Sequence, residues 1–460
     1  MKFVAVLFPV AVAVLLDTLF YASSGRKHLL DSLFRTVDDT EPAKEWLTLR
    51  KTLKLDDVKV LEYGGAVQVK LNTMHRFDLR SHPFCTVKQR IVKLLSDDDY
   101  VDIACLGSNC GGKCDLAAAK KKQKEGKNLS PNSCSRPLGL QFLDPEAAAA
   151  GTDKTLLVCD VFRGLLKVHV PPGQYRRDRH EPSHFDVLLS EADGKRPYFS
   201  NALLKHGDYV YFTDSSQSNN FGTKGRIILE PEPTGRLLEF NLKTKRATVV
   251  LERLAFPNGL AFTPSRDAIL MVETKTRSIK KIHIAGPRKG QVKVWASDLP
   301  FVPDNITELP NGLGYIVGSA FVKKFPSSIQ VSSPSVALSI LKALHRRVAN
   351  GLFFTHLQTV GEILYPLTEF EAFSVALDWL LTHLGGGGHL FHLDTQGTVR
   401  RWISLPRECS AVSEGFVASW GKFPSAGSVE LSDVSHFLLA GSFAKNGICK
   451  IPLSALVDPK

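Results

Sequence analysis

A weak internal repeat constrains this chain more than any other feature. From about residue 150 one unit recurs: an apolar strand, an acidic or small polar residue, a turn, and a second strand containing a basic residue. Leu156-Leu157-Val158-Cys159-Asp160 leads to Leu165-Leu166-Lys167-Val168, and Tyr209-Val210-Tyr211-Phe212-Thr213-Asp214 leads to Gly235-Arg236-Leu237-Leu238-Glu239-Phe240. Ile269-Leu270-Met271-Val272-Glu273 leads to Ile279-Lys280-Lys281-Ile282, and Phe437-Leu438-Leu439-Ala440-Gly441-Ser442 leads to Ile448-Cys449-Lys450-Ile451. Asp160 and Asp214 stand 54 residues apart, and Asp214 and Glu273 stand 59 apart. Short strands at such a period are the pattern of propeller blades, each a small sheet that buries its faces only by stacking on neighbours.

The roughly 400 residues that follow the amino-terminal segment hold six blades at that spacing. The expected fold is all-β: a six-bladed β-propeller over residues 56–455, with an inserted helical segment over 335–384. In that segment the apolar spacing turns helical at Val336, Ile340, Leu341 and Leu344, and again from Ile363 to Leu380. Gly385–Gly388 end it as a linker, with no Lys-Ser/Thr to make a phosphate loop. A doubly wound α/β fold is disfavoured, because amphipathic helices do not alternate with these strands. Hydrophobic residues are 43% of the 460 and charged residues 23%, which excludes a disordered, collagenous or polytopic membrane chain.

Lys2 precedes an apolar run from Phe3 to Leu16, which continues past Asp17 through Tyr21 to Ala22-Ser23-Ser24. That is the layout of a secretory signal: a basic head, about 7–15 apolar residues and a small-residue exit. Counted through Tyr21 it also approaches the ~20 residues that span a bilayer. Residues 1–24 are therefore read as a signal peptide or signal-anchor, and 25–55 as a linker or helical lead-in. The expected location is the secretory pathway: the endoplasmic reticulum lumen or a single-pass membrane protein, with secretion also open.

Eight cysteines suit an oxidising lumen. Cys105, Cys110, Cys114 and Cys134 form a cluster that reads as one or two disulfides; zinc is disfavoured because the cluster has no C-x-x-C pair and no His. Asn128-Leu129-Ser130 is a glycosylation sequon. It lies beside Lys120, Lys121, Lys122, Lys124 and Lys127, which account for part of the net charge of +12. Without interleaved aromatics that run is a solvated loop, and no nucleic-acid partner is expected. The expected partner is a small-molecule substrate, with membrane association through the amino terminus; nothing in the sequence sets an oligomeric state. His180-Glu181-Pro182-Ser183-His184 matches the H-E-x-x-H string, but Pro182 opposes the helix that a zinc protease needs, so it reads as an inter-strand loop.

Several unusual strings occur in order between residues 134 and 305: Cys134-Ser135-Arg136-Pro137-Leu138-Gly139, Thr213-Asp214-Ser215-Ser216, Phe256-Pro257-Asn258-Gly259 and Pro303-Asp304-Asn305. With Leu439-Ala440-Gly441-Ser442-Phe443 downstream, the chain resembles the strictosidine synthase-like family, and within it the adipocyte plasma membrane-associated branch. The resemblance covers roughly residues 100–320 and 389–453. It implies a six-bladed propeller related to the paraoxonase-type calcium-dependent hydrolases, and a disulfide between Cys110 and Cys134.

The resemblance also implies a channel cation, calcium or another hard divalent ion, held by Asn201, Asn258, Asp304 and Asn305. Calcium takes six to eight hard oxygens, for which Asn carbonyls serve as well as carboxylates. The family's first-blade Glu has no match here; only Glu62 lies near its place at Gly64-Gly65-Ala66. Turn-capping is the plain alternative for these Asn residues, with Asn258-Gly259 permitting a turn of positive φ. Asn305-Ile306-Thr307 is a sequon, but a channel position and a glycan exclude each other, and the channel is preferred. Strictosidine synthase uses a buried Glu in its last blade; the matching position here is Asp433, with Glu430 three residues earlier. Leu138 stands where a paraoxonase-type His would be.

The leading functional expectation is a metal-dependent, arylesterase-like hydrolase of esters or lactones, with Asp433 or Glu430 as base. The runners-up are an amine–aldehyde condensing lyase and a non-catalytic luminal binding propeller.

Overall fold

A computed structural model describes residues 48–456 apart from 62–70, 76–83, 88, 108–109, 111–133, 145–154, 171–182, 190, 220–226, 228–229, 231, 323–387, 419–435 and 443–447. The expected helical insertion over 335–384 therefore lies outside the described residues, as does the amino-terminal segment through residue 47. Among the described residues no helix is long and apolar enough to cross a membrane.

The described strands form six sheets. Blade one is β3 (Leu71–His75), β4 (Phe84–Val87), β5 (Arg90–Leu94) and β6 (Tyr100–Cys105). Blade two is β7 (Pro137–Phe142), β8 (Leu156–Asp160), β9 (Gly164–Val168) and β10 (Phe185–Leu189). Blade three is β11 (Ser200–His206), β12 (Tyr209–Asp214), β13 (Gly235–Asn241) and β14 (Ala247–Leu254). Blade four is β15 (Pro257–Phe262), β16 (Ala268–Glu273), β17 (Ser278–His283) and β18 (Val292–Ala296). Blade five is β19 (Phe301–Glu308), β20 (Tyr315–Val322), β21 (His389–Leu393) and β22 (Val399–Ser404). Blade six is β23 (Val412–Ala418), β24 (Phe437–Ser442) and β25 (Ile448–Pro452).

Two earlier strands complete the ring. β1 (Arg50–Thr52) runs parallel to β22 at the outer edge of blade five, and β2 (Lys59–Leu61) pairs antiparallel with β25 to supply the fourth strand of blade six. The segment 25–55, expected as a linker or helical lead-in, thus contributes a strand at 50–52. First strands touch in the closed order β3–β7–β11–β15–β19–β23–β3. The expected six-bladed propeller is the observed fold.

The core follows the same ring. Among the described residues six of the seven apolar clusters lie one between each pair of neighbouring blades, and the seventh joins Cys134, Leu138, Val161, Phe162, Phe199 and Ile227. Between blades four and five, Phe301 stacks on Phe391 at 3.6 Å between centroids, with Trp402 behind. Second strands are buried on both faces, which is why β8 reads Leu-Leu-Val-Cys-Asp without alternation, whereas outer strands such as β18 are largely exposed. A buried Phe is worth about 1.5–3 kcal/mol, so Phe212 and Phe240 between blades two and three weigh heavily in that contact.

The disulfides differ from expectation. Cys110 pairs with Cys105, with Cα atoms 5.6 Å apart, and not with Cys134. The turn after β6 brings these two cysteines together within five residues. Cys134 is also disulfide-bonded. Cys409 and Cys449, which carried no assignment from sequence, tie the turn before β23 to β25 inside blade six.

Candidate functional site: a polar channel at the heads of the inner strands

The acidic residue that ends each repeat unit proves to be a backbone clamp. Asp160 accepts Arg136 N at 2.9 Å, Asp214 accepts Phe199 N at 2.7 Å, and Glu273 accepts Ala255 N at 2.8 Å. Each of those amides lies just ahead of an inner strand. The end of one strand thereby fixes how the neighbouring inner strand enters the channel. Blades five and six use hydroxyls instead: Ser319 Oγ donates to Val302 O at 2.8 Å and Ser442 Oγ to Ser410 O at 2.7 Å. Burial pushes the Asp214 carboxyl upward, while the Arg236 guanidinium at 3.0 Å and the amides of Phe199 and Tyr198 oppose the shift.

Past each clamp the inner strand bulges. In every blade the inner pair has a register shift, at Leu71/Met74, Pro137/Leu140, Ser200/Leu203, Pro257/Leu260, Pro303/Ile306 and Val412/Glu414. A bulge re-aims the side chains it contains. Asn201, Asn258 and the Asp304-Asn305 pair all sit in these bulges.

The string Thr213–Ser216 joins blades three and four. Thr213 Oγ1 donates to Asn258 O at 3.0 Å, and Ser215 Oγ donates to Pro257 O at 2.7 Å. Asn201 Nδ2 donates to Ser215 Oγ and to Asn258 Oδ1, both at 3.0 Å. Asn258 Nδ2 donates to Thr274 Oγ1 at 3.2 Å, and Asn258 also hydrogen-bonds Asp304. Ser216 Oγ reaches the buried Glu230 at 3.3 Å.

Three of the four expected metal residues, Asn201, Asn258 and Asp304, are therefore one hydrogen-bonded chain across blades three, four and five. Asn305 follows on β19, is 5% exposed and lines the channel cavity, a position unsuited to a glycan. Gly259 has no positive φ; its role is close approach, since a Cβ there would lie 2.5 Å from Asn305 Cα. The turn reading of Asn258-Gly259 is thereby replaced by a packing one. Gly139, in the matching bulge of blade two, meets Asn201 O in the same way at 2.6 Å.

Asp304 is partly exposed although protein surrounds it. Burial pushes its carboxyl up to about 7, and the Asn258 hydrogen bond pulls it back part of the way. Among the described residues no cation pairs with it. The donor set is oxygen only, with no sulfur or imidazole, and a carboxyl destabilised by burial gains most from a positive ion beside it. The residue types fit a hard cation, which would draw Asn258 Oδ1 away from the Asn201 amide it accepts here.

Next to this chain lies a cavity of about 660 Å³, with a mixed lining that includes Leu260, Ile306, Phe416, Asn305, Thr307 and Glu414 along with the charged Lys205, Arg266 and Glu308. Glu414 is 5% exposed and accepts Thr307 Oγ1 at 3.2 Å. Sequence reading did not single it out. Its signal was positional: the apolar strands recognised in the repeat are second strands, so an inner strand must precede Phe437, and Val412–Ala418 is that strand. Asp433, Glu430, Glu62 and the sequon Asn128 lie outside the described residues.

A closed ring of six blades around a polar channel defines the class, a six-bladed β-propeller. Comparisons narrow it. The family model described as strictosidine synthase matches residues 203–287. The adipocyte plasma membrane-associated protein of Danio rerio is 28% identical over 333 residues, 72% of this chain and 66% of that protein. The strictosidine synthase-like 10 protein of Arabidopsis thaliana is 35% identical over 181 residues, 39% of this chain and 44% of that protein. A solved gluconolactonase from Xanthomonas campestris is similar at 12% identity, with a TM-score of 0.44 over 90% of this chain and 93% of that one. The matched part spans from less than half to about two thirds of the length of these curated relatives. The chain is similar to proteins of the strictosidine synthase-like family.

Proposed function

We propose that this protein is a hard-cation-dependent hydrolase of small esters or lactones, working in the secretory lumen. The observation that carries the reading is the Asn201–Asn258–Asp304 chain next to a cavity of mixed apolar and polar lining. A bound calcium-like ion supplies polarisation of the substrate carbonyl and of a water. The chain's own residues do the rest. Leu260, Ile306 and Phe416 exclude water and seat the apolar part of the substrate. Glu414 Oε takes the proton of the attacking water, with Thr307 Oγ1 fixing the carboxylate's orientation; Asp433 and Glu430 remain proposed for the same role. The amino-terminal apolar run and the disulfides Cys105–Cys110 and Cys409–Cys449 support the luminal location.

Purified protein is assayed for metal and for turnover of phenyl esters and lactones, with and without chelator. Chelation is expected to abolish turnover, and Asp304→Ala to lose the metal. Glu414→Gln should keep the metal while kcat falls about 10²–10⁴-fold. Turnover that persists in chelator would sink the hydrolase reading. The buried last-blade Glu414 also suits an amine–aldehyde condensation. That reading predicts condensing activity lost in Glu414→Gln and untouched by chelator.

A further inference from the structure

We infer that the outer hairpin of blade two carries a separate transition-metal site, of the zinc class, built from His169, His184 and Asp186. It lies at the outer rim, on strands away from the channel, and does not depend on the reading of the channel.

The site follows from register. β9 and β10 pair with Phe185 opposite Val168 and Asp186 opposite Lys167. One step further along the hairpin His184 stands opposite His169, and His169 N donates to His184 O at 3.1 Å. Side chains alternate across a strand, so His184 and Asp186 share a face, with His169 directly across from one and diagonal to the other. The opposite face is spoken for: Val168 is buried in the core between blades one and two and Phe185 packs against it. The two imidazoles and the carboxylate are thus gathered on the outward face.

The distances suit one ion. His169 Nε2 and Asp186 Oδ2 are 3.1 Å apart, and all three potential ligand atoms lie within 4.8 Å of one another. In a tetrahedral zinc shell with ligands at about 2.0–2.2 Å, neighbouring ligand atoms stand about 3.3 Å apart. Small side-chain rotations close the set without moving the backbone. Two imidazoles and one carboxylate favour zinc and its neighbours over calcium, and three protein ligands leave a fourth position for water. His184 is the second His of the H-E-x-x-H string. Ser183–His184 are not helical and lead into a strand, so the metal chemistry proposed is that of a sheet site and not of a helical protease. Lys167 faces the same way and opposes a dication, which gives the test a sign.

The untagged, metal-stripped full chain is titrated with zinc in saturating calcium, which leaves the channel to the hard ion. One equivalent of zinc is expected to bind, and cobalt as a spectroscopic probe should show the visible band of a nitrogen-ligated four-coordinate ion. His169→Ala and His184→Ala should each lose that band and weaken zinc by more than the about 10–100-fold typical of an outer-shell loss. Asp186→Asn, nearly isosteric, should weaken it less, and Lys167→Ala should tighten it. Zinc stoichiometry and affinity unchanged in a His169→Ala/His184→Ala double variant that keeps its circular dichroism would overturn the site. So would an exposed ion pair that binds no zinc at micromolar concentration.

Discussion

Gly259 and Asp304 show how closely single residues are constrained at the head of the channel. A methyl on Gly259 would press on the Asn305 backbone at 2.5 Å and on Ile306 N at 2.6 Å. Gly259→Ala is expected to cost about 1–3 kcal/mol in urea denaturation, and to lower bound metal because β19 must shift. A wild-type-like stability would mean that the two strands are free to part. Asp304 sets a pH dependence. Its folded carboxyl is raised from 3.8 to about 7, so between those values the folded state holds more protons than the unfolded one. Stability of the chelator-treated protein should therefore fall as pH rises across that window and level off above it. Asp304→Asn should flatten the curve. A melting temperature that climbs from pH 4 to 7 in wild type alone would contradict the assignment. At this scale the sequence yielded Asn201, Asn258, Asp304 and Asn305 from a resemblance, but nothing local revealed that Asn258 bridges the other two. That bridge depends on three strands that only the ring brings together.

Among elements, the clamp on the second strands of blades two to six is the recurring device, and its acidic members were visible as the residues that spaced the repeat. Their partners were not, because an amide ahead of the preceding strand has no side-chain signature. Asp214 carries the heaviest duty: it accepts Phe199 N and Tyr198 N and pairs with the buried Arg236. Asp214→Ala leaves two amides without their acceptor and the buried guanidinium without its carboxylate, held only by the carbonyls of Ala192, Lys195 and Arg196. A loss of roughly 3–5 kcal/mol is expected, with Asp214→Asn costing less, measured by denaturant titration. Equal effects of the two variants would show that charge, and not the amide clamp, dominates. Disulfide pairing was less legible than strand placement. Four cysteines within thirty residues allow several pairings, and the choice of Cys105 for Cys110 turns on the path of one short turn after β6. Glu414 was hidden for a related reason: an inner strand carries mixed polar and apolar residues, since one edge faces a channel, and so it lacks the apolar run that marked its neighbours.

On the scale of the whole molecule, six inter-blade cores have no hub, and the ring is only as continuous as its seam. That seam is β2 against β25, with Lys59 opposite Lys450 and Leu61 opposite Ile448. Asp97 bridges the two lysines, at 2.7 Å from Lys59 and 2.9 Å from Lys450. A chain that starts after Leu61 should expose the edge of β25, melt at lower temperature and self-associate in size-exclusion chromatography. A monomer with unchanged melting would mean that blade six closes without β2. The six-fold repeat was readable from strand spacing. The seam was not, because a three-residue strand at 59–61 carries no periodicity.

The seam also orders events during synthesis. Lys59–Leu61 leaves the ribosome long before Ile448–Pro452, yet the two share a sheet. Most of the blades can form while the chain grows, but the opening strand must wait, unpaired, until the last blade emerges. Its exposed backbone is then the most aggregation-prone feature of the nascent protein. A transcript cut short before codon 448 would yield a chain that has nearly all of its blades and no means of closing them.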